Sequence, residues 1–171
     1  MKRAKVAYGG AIHDAYEHPA GVKLADGRVV AEDAVVWLPP FEVGTIIALG
    51  LNYADHAKEL AFKEPPKEPL AFIKGEASLI GHQQHTLRPP GVQFMHYECE
   101  LAVVIGRTAK RVKKSDAYDF VGGYTVANDF AVRDYLENWY RPNLRRKNRD
   151  TCTPLGPWRV DTADIPNPMG L

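Results

Sequence analysis

The feature that most constrains the fold is an apolar strand that begins with two carboxylates. The segment ECELAVVIGR places Glu98 and Glu100 directly before the apolar residues 101–105. In an extended segment, side chains at positions i and i+2 point to the same face, so the two carboxylates project together. Two such charges in a low-dielectric site repel each other unless one is protonated or a cation lies between them. The segment therefore predicts either a solvated strand entrance or a site for a hard divalent cation such as Mg²⁺, which takes oxygen ligands.

A third carboxylate ends the next strand-like segment, VGGYTVAND. Asp129 is the last residue of that segment, and the residues after it, FAVRDYLENWY, have the composition and apolar spacing of a helix over 130–140. Two interpretations of Asp129 stay open at this point. It is either a third metal ligand next to Glu98 and Glu100 or the N-cap of the following helix.

Two histidine-containing pairs suggest a competing metal. The spacing His82-x-x-His85 followed by His96-x-x-Cys99 has the outline of a four-ligand structural zinc site in a binding module. The second pair is mixed, however, and the intervening residues TLRPPGVQFM lack the usual zinc-finger pattern. Solvated loop histidines are the simpler interpretation.

Two further groups of residues have the chemistry of a site. His56 and Glu59 lie three residues apart in NYADHAKELAF, so a helix places them on one face, either as a general base with its orienting carboxylate or as an exposed pair. A proline-punctuated segment with a run of basic residues suits an anionic ligand, and an organic acid fits better than a nucleic acid. Its basic residues are Arg141, Arg145, Arg146, Lys147 and Arg149.

The distribution of strand and turn signals predicts a mainly β fold with short helices, of the α+β class. Residues 1–43 alternate in polarity around an Asp26-Gly27 turn and end at Pro39-Pro40, which predicts a small β-rich N-terminal segment. Residues 44–171 follow as a larger domain of strands, short helices and loops. A chain of 171 residues is long enough for one domain with its own core.

Charge and composition exclude several functional classes. The chain has 22 basic and 21 acidic residues, and this balance predicts neither a nucleic-acid nor a membrane partner. No apolar run approaches the roughly 18–20 residues of a membrane span, and the first residues do not read as a signal peptide. Two cysteines without framework spacing favour a reducing, cytoplasmic location.

Taken together, these segments resemble the fumarylacetoacetate hydrolase superfamily, and most closely its isomerase/decarboxylase branch of homoprotocatechuate (4-hydroxyphenylacetate) breakdown. The residues that carry the resemblance are, in chain order, Gly50-Leu51-Asn52-Tyr53-Ala54-Asp55-His56 with Glu59, Phe72-Ile73-Lys74 with Ser78 and Gly81, Tyr97-Glu98-Cys99-Glu100-Leu101-Ala102-Val103-Val104-Ile105-Gly106, Gly123-Tyr124, Asn128-Asp129 with Arg133-Asp134, and Lys147 with Asp150-Thr151, Pro154 and Gly156-Pro157.

The resemblance implies a mixed β-roll or sandwich with a metal-dependent active site. Its implied metal ligands, for Mg²⁺ or Mn²⁺, are Glu98, Glu100 and Asp129. The implied catalytic residues are His56 with Glu59 as the acid/base pair and Lys147 as a contact to the substrate's oxygens. The implied substrate-binding residues are Asn52, Tyr53, Lys74 and Arg133.

The implied reaction is that of a metal-dependent carboxy-lyase or isomerase acting on an unsaturated 2-oxo acid. The enzyme would decarboxylate 5-oxopent-3-ene-1,2,5-tricarboxylate, isomerise 2-hydroxyhepta-2,4-dienedioate, or do both. An acylpyruvate hydrolase and an oxaloacetate decarboxylase are alternatives within the superfamily. A non-catalytic, zinc-binding or structural remnant is the alternative of another class. We expect a homo-oligomer, a dimer.

The chain departs from the family pattern in two places. Arg146 stands at the usual glycine before the lysine and Asn148 at the usual serine after it, so the lysine loop is expected to differ in shape. Family domains continue beyond the segment Gly156-Pro157, so we expect a catalytic domain over 44–171 that is truncated at its C-terminal end. Unpaired strand edges and exposed apolar surface should then promote association.

Overall fold

Strands dominate the computed structural model, which describes residues 1–53, 68–136 and 144–170. In these ranges no helix is long and apolar enough to cross a membrane. One short α-helix, α1, covers Leu144–Lys147. The strands are, in chain order, β1 (Lys2–Tyr8), β2 (Ala11–His18), β3 (Gly21–Leu24), β4 (Val29–Val30), β5 (Val36–Leu38), β6 (Ile46–Gly50), β7 (Leu70–Lys74), β8 (Leu79–Ile80), β9 (Met95–His96), β10 (Cys99–Ile105), β11 (Val121–Asn128), β12 (Ala131–Val132), β13 (Thr153–Pro154) and β14 (Arg159–Val160).

The largest sheet joins the two ends of the chain. Its order is β10-β11-β14-β1-β2-β3-β4, with β5 paired to β1, and every pairing in it is antiparallel. Strands from residues 1–43 and strands from residues 44–171 therefore belong to one sheet, joined where Lys2 pairs with Val160. The division at residue 43 stays a prediction.

Tight turns and alternating burial build the N-terminal part of this sheet. Gly9 and Gly10 connect β1 to β2 with φ of 58° and 82°, as a two-residue hairpin turn with two left-handed positions requires. The predicted turn at Asp26-Gly27 is confirmed, since it connects β3 to β4 and Gly27 has a φ of 92°. The inward-facing side chains form one apolar core of Ala4, Val6, Ala15, Val22, Leu24, Val35 and Trp37.

Three small two-stranded sheets bring distant segments to one end of β10 and β11. They are the antiparallel pair β6–β7, the antiparallel pair β9–β12 and the parallel pair β8–β13. Gly81, just after β8, lies so close to β5 that an added Cβ would be 2.0 Å from the Trp37 carbonyl oxygen. These pairings place Lys74, Glu98 and Asp129 near one another.

The helix predicted over 130–140 is wrong in the described part, residues 130–136. That part contains β12 and a 3₁₀ turn, Arg133–Tyr135. Backbone pairing explains the difference, because the Asp129 N–H donates to the Glu98 carbonyl over 2.8 Å and the Arg133 N–H donates to the Phe94 carbonyl over 2.8 Å. Tertiary strand pairing thus overrides helical spacing. Among the described residues no helix begins directly after Asp129 for it to cap.

Two other predictions concern segments near the site. The basic segment interpreted as a loop contains the short helix α1, which carries Lys147. The helix predicted from NYADHAKELAF, with His56 and Glu59, falls mostly in 54–67 and so lies outside the described residues.

Candidate metal and substrate site

Three carboxylates meet where β10 begins and β11 ends. Glu98 directly precedes β10, Glu100 is its second residue, and Asp129 directly follows β11. The two strand ends are fastened together, since the Glu98 N–H donates to the Asn128 side-chain oxygen over 3.0 Å and the Glu98 carbonyl accepts the Asp129 N–H. Ligand oxygens of the three carboxylates all lie within 4.8 Å of one another. We call these three residues the acidic triad.

Two buried lysines face the triad. Lys147 of α1 donates to Asp129 Oδ2 over 2.6 Å and to Glu98 Oε2 over 2.8 Å. Lys74 of β7 donates to the other oxygen of Asp129. Both lysine side chains are only 2% exposed. Burial lowers the pKa of Lys74, and the neighbouring charge of Asp129 opposes that effect. The lysines therefore compensate carboxylates that would otherwise be buried unpaired.

Glu100 differs from the other two triad members. Neither lysine forms a hydrogen bond with it, and in the described ranges its carboxylate has no hydrogen-bond donor. Burial raises the pKa of Glu100 to about 7, with the charges of Asp129 and Glu98 adding to the effect and those of Lys147 and Lys74 opposing it. Glu100 is thus the triad carboxylate with the most to gain from a cation.

Arg133 completes the set of charges around Glu98. Its guanidinium donates to Glu98 Oε1 over 3.0 Å and to His96 Nδ1 over 3.1 Å. The turn that carries it is fixed because the Asp134 carboxylate accepts the backbone N–H groups of Gln93, over 2.6 Å, and Phe94, over 2.9 Å. Arg133, interpreted from the sequence as a substrate-binding residue, lies in this structure against a triad carboxylate.

A cavity of about 480 Å³ opens from the triad between β6 and β10. Five of the candidate site residues line it, and the remaining wall is largely apolar. The five are Asn52, Tyr53, Lys74, Glu100 and Asp129. The structure therefore brings two triad ligands and three of the four candidate substrate-binding residues to one concave surface.

The triad has the donor chemistry of a site for a hard cation. All three candidate ligands offer carboxylate oxygens, which suit Mg²⁺ and Mn²⁺, and none offers a thiolate or imidazole. Their spacing allows one ion to contact all three residues after the lysine ammonium groups adjust. The residues present therefore fit a Mg²⁺ or Mn²⁺ ion.

A comparison with protein-family models identifies the fold. The model described as "Fumarylacetoacetate (FAA) hydrolase C-terminal" matches residues 45–171, well over half of the chain. The chain belongs to this family. The fold predicted from the sequence, mainly β with short helices and of the fumarylacetoacetate hydrolase type, is confirmed.

Individual relatives show which members of the family are similar to this chain. The 4-hydroxyphenylacetate degradation bifunctional isomerase/decarboxylase of Salmonella dublin is 54% identical over 157 residues, covering 88% of this chain and 36% of the relative. The mitochondrial oxaloacetate tautomerase fahd-1 of Caenorhabditis elegans is 42% identical, covering 72% of this chain and 58% of the relative. The crystal structure of 5-carboxymethyl-2-hydroxymuconate delta-isomerase from Mycobacterium smegmatis has a TM-score of 0.78 and 32% identity, covering 94% of this chain and 66% of that one.

The chain spans about a third of the length of its bacterial isomerase/decarboxylase relative and under two thirds of the nematode tautomerase. The similarity to that isomerase/decarboxylase nevertheless extends over most of this chain. It includes the segments that form the acidic triad.

The zinc interpretation is wrong. In the described part of the chain, the acidic triad is the one group of three or more histidine, cysteine or acidic side chains close enough to share an ion. His82 instead stacks edge-on against Trp37, with ring centroids 5.6 Å apart, and His96 contacts Arg133. Cys99, the fourth candidate zinc ligand, is exposed.

The sequence predicted the other members of the site only in part. His56 and Glu59 lie outside the described residues and stay predictions. Lys74 was a candidate for substrate contact, but its pairing with Asp129 was not anticipated. A lysine inside the apolar strand segment LAFIK was the available signal, because a buried lysine requires a carboxylate partner.

Proposed function

We propose that this chain carries the metal site of a divalent-metal-dependent decarboxylase and/or isomerase. Its substrate would be an unsaturated 2-oxo di- or tricarboxylic acid of 4-hydroxyphenylacetate catabolism. The observation that carries the proposal is the acidic triad, whose oxygens lie within 4.8 Å of one another at the end of a cavity. The 54% identity to an isomerase/decarboxylase of that pathway supports this choice of reaction.

The charges of the site favour an anionic substrate. The three cations paired directly with the triad, Lys74, Lys147 and Arg133, match the formal charge of its carboxylates when all three are ionised. A divalent cation added to this balanced group leaves an excess of two positive charges. A 2-oxo acid that brings a carboxylate and develops enolate charge offsets that excess.

The candidate residues divide the chemical tasks among them. Glu98, Glu100 and Asp129 would hold Mg²⁺ or Mn²⁺, which when bound polarises the keto group of a 2-oxo acid. Lys147, whose ammonium group reaches both Glu98 and Asp129, would donate to the substrate's oxygens as their negative charge grows.

The remaining roles rest on the family resemblance and on the cavity. Asn52, Tyr53 and Lys74 line the cavity and would orient the substrate chain. His56, assisted by Glu59, would move a proton onto or off carbon. We also propose that the active species is a homodimer.

A second candidate substrate is oxaloacetate, a smaller 2-oxo dicarboxylic acid. The nematode relative named oxaloacetate tautomerase, 42% identical over 126 residues, favours it. The same triad and the same lysines would serve either substrate, because both present a carboxylate beside a keto group.

The test is a spectroscopic assay with the 171-residue chain. Protein, Mg²⁺ and 5-oxopent-3-ene-1,2,5-tricarboxylate are mixed and the loss of conjugated absorbance is followed, with oxaloacetate in a parallel series. We expect a metal-dependent change that Glu98→Ala and Glu100→Gln abolish and that Glu32→Gln, a change to an exposed carboxylate, leaves intact. A folded protein that causes no metal-dependent change with either substrate would overturn the proposal.

A further inference from the structure

Arg146 is a charged side chain near the acidic triad that the proposed function does not use, although it is not among the residues that line the 480 Å³ cavity. It is the third residue of α1 and directly precedes Lys147. The side chain is half-buried, and its buried Nε has no hydrogen-bond partner among the described residues. A buried guanidinium nitrogen without a partner costs free energy, so its persistence next to a candidate active site calls for a ligand.

The surroundings of Arg146 specify the charge of that ligand. Burial lowers the pKa of Arg146, the neighbouring Arg133 lowers it further, and Glu98 and Asp129 oppose the effect. Arg133 already donates to Glu98 and His96, whereas no carboxylate pairs with Arg146 in the described ranges. Two guanidinium groups that repel each other beside a half-buried surface favour an anion between them.

The relative position of the two arginines is fixed by packing. Helix α1 packs against β12 and the Arg133–Tyr135 turn. The Tyr135 ring holds the guanidinium carbons of Arg145 and Arg149 at 4.7 and 4.8 Å from its centroid. The pair Arg133 and Arg146 is therefore carried by two elements locked together, which a selective contact requires.

We propose that Arg146, together with Arg133, binds the second carboxylate of a 2-oxo dicarboxylic acid whose first carboxylate and keto oxygen lie at the acidic triad. This inference rests on the proposed function and adds to it the residue that selects substrates by their second carboxylate. The planar guanidinium matches a carboxylate through two parallel hydrogen bonds, which an ammonium group does not reproduce. Arg146 stands where the family resemblance leads one to expect glycine. We therefore expect selectivity for a second carboxylate only in chains that have this arginine.

The test compares two probes of equal chain length. Binding of 2-oxoglutarate, with two carboxylates, and of 2-oxopentanoate, with one, is measured by calorimetry in saturating Mn²⁺. We expect the wild type to favour 2-oxoglutarate and Arg146→Ala to weaken its binding about tenfold or more, with less than about a twofold effect on 2-oxopentanoate. Arg146→Lys should fall between the two. Arg107→Ala removes an arginine that stacks on Phe120 and serves as the control, with both affinities unchanged.

The outcomes separate this inference from the proposed function. Three results would overturn the role of Arg146. The first is an equal loss of affinity for both probes, and the second is an unchanged ratio of the two affinities in both Arg146 variants. The third is a wild type that binds neither probe. Circular dichroism checks folding, and Arg146→Lys carries the test if the alanine variant does not fold. Arg146-dependent selectivity in a protein that fails the absorbance assay overturns the proposed reaction alone.

Discussion

Asp129 has a central position at the residue scale, because it compensates two buried cations at once. Each of its carboxylate oxygens accepts a hydrogen bond from a different lysine, and its side chain is 5% exposed. Removing one partner of a buried ion pair leaves an uncompensated charge, which costs more than the pair contributes. Stability and the proposed metal binding therefore depend on the same carboxylate.

We expect Asp129→Asn to lower the free energy of unfolding by about 3 kcal/mol, because Lys74 and Lys147 would then share no carboxylate at this position. Urea denaturation followed by tryptophan fluorescence measures the change. Asp33→Asn, at an exposed carboxylate, is the matched control and should have almost no effect. Similar losses in the two variants would contradict the central role of Asp129.

The raised pKa of Glu100 predicts how the affinity of the proposed site for a metal ion depends on pH. Its pKa, raised to about 7, means that a bound proton competes with the cation below pH 7, whereas the carboxylate is ionised above it. Affinity for Mn²⁺ should therefore decrease by about tenfold per pH unit below 7 and level off above pH 8. Calorimetric titration at several pH values between 5.5 and 8.5 measures this slope.

The Glu100→Gln variant isolates that effect. It should bind Mn²⁺ more weakly at pH 8 and lose most of the dependence between pH 6 and 7, because the titrating group is absent. A variant that retains the full wild-type slope would show that another group titrates in this range.

The acidic triad also shows how far sequence reasoning reaches at this scale. The i, i+2 spacing of Glu98 and Glu100 placed two carboxylates on one face, and Asp129 was a plausible third because it ends the next strand. The partners of these carboxylates were not predictable in the same way. Lys74 and Lys147 come from segments 55 and 18 residues from Asp129 along the chain, and only the folded topology brings them there.

At the scale of elements, β8 depends on a glycine that no larger residue can replace. An added Cβ on Gly81 would lie 2.0 Å from the Trp37 carbonyl oxygen and 2.9 Å from the Leu38 Cα, so backbone would have to move. Gly81→Ala should cost roughly 3 kcal/mol of unfolding free energy, as overpacking does when no flexible side chain can yield.

Gly44→Ala is the control for this change, because an added Cβ there meets nothing within 4 Å. It should alter stability by less than about 1 kcal/mol. Urea denaturation of both variants makes the comparison. If Gly81→Ala were as stable as the control, β8 would not be packed closely against β5.

Elements were predictable where local pattern and tertiary pairing agree. The alternating segments around Asp26-Gly27 and the apolar segment of β10 became strands as expected. Residues 130–136 did not become a helix, since β12 pairs with β9 and the Arg133 N–H donates to the Phe94 carbonyl. Those partners are more than 30 residues away, and local spacing contains no information about them.

At the scale of the whole molecule, the main sheet has an edge that matters for association. Among the described strands, β10 lies at the end of the sheet with β11 as its one neighbour, and β6 lies across the cavity from it. Ile47 of β6 is 66% exposed, and Val103 and Ile105 of β10 are also exposed. An unpaired edge flanked by exposed aliphatic side chains favours pairing with another chain.

We therefore expect the chain to self-associate along the edge of β10 and the neighbouring side chains of β6, some of which also line the cavity. Ile47→Lys should weaken association about tenfold or more, because burying an isoleucine side chain contributes about 1.5–3 kcal/mol and a lysine opposes burial. Sedimentation velocity over a concentration series measures the dissociation constant. Ile12→Lys, at a side chain of β2 that is 67% exposed, is the matched control and should leave association unchanged. A chain that stays monomeric at all concentrations, or equal effects of the two substitutions, would exclude this edge as the interface.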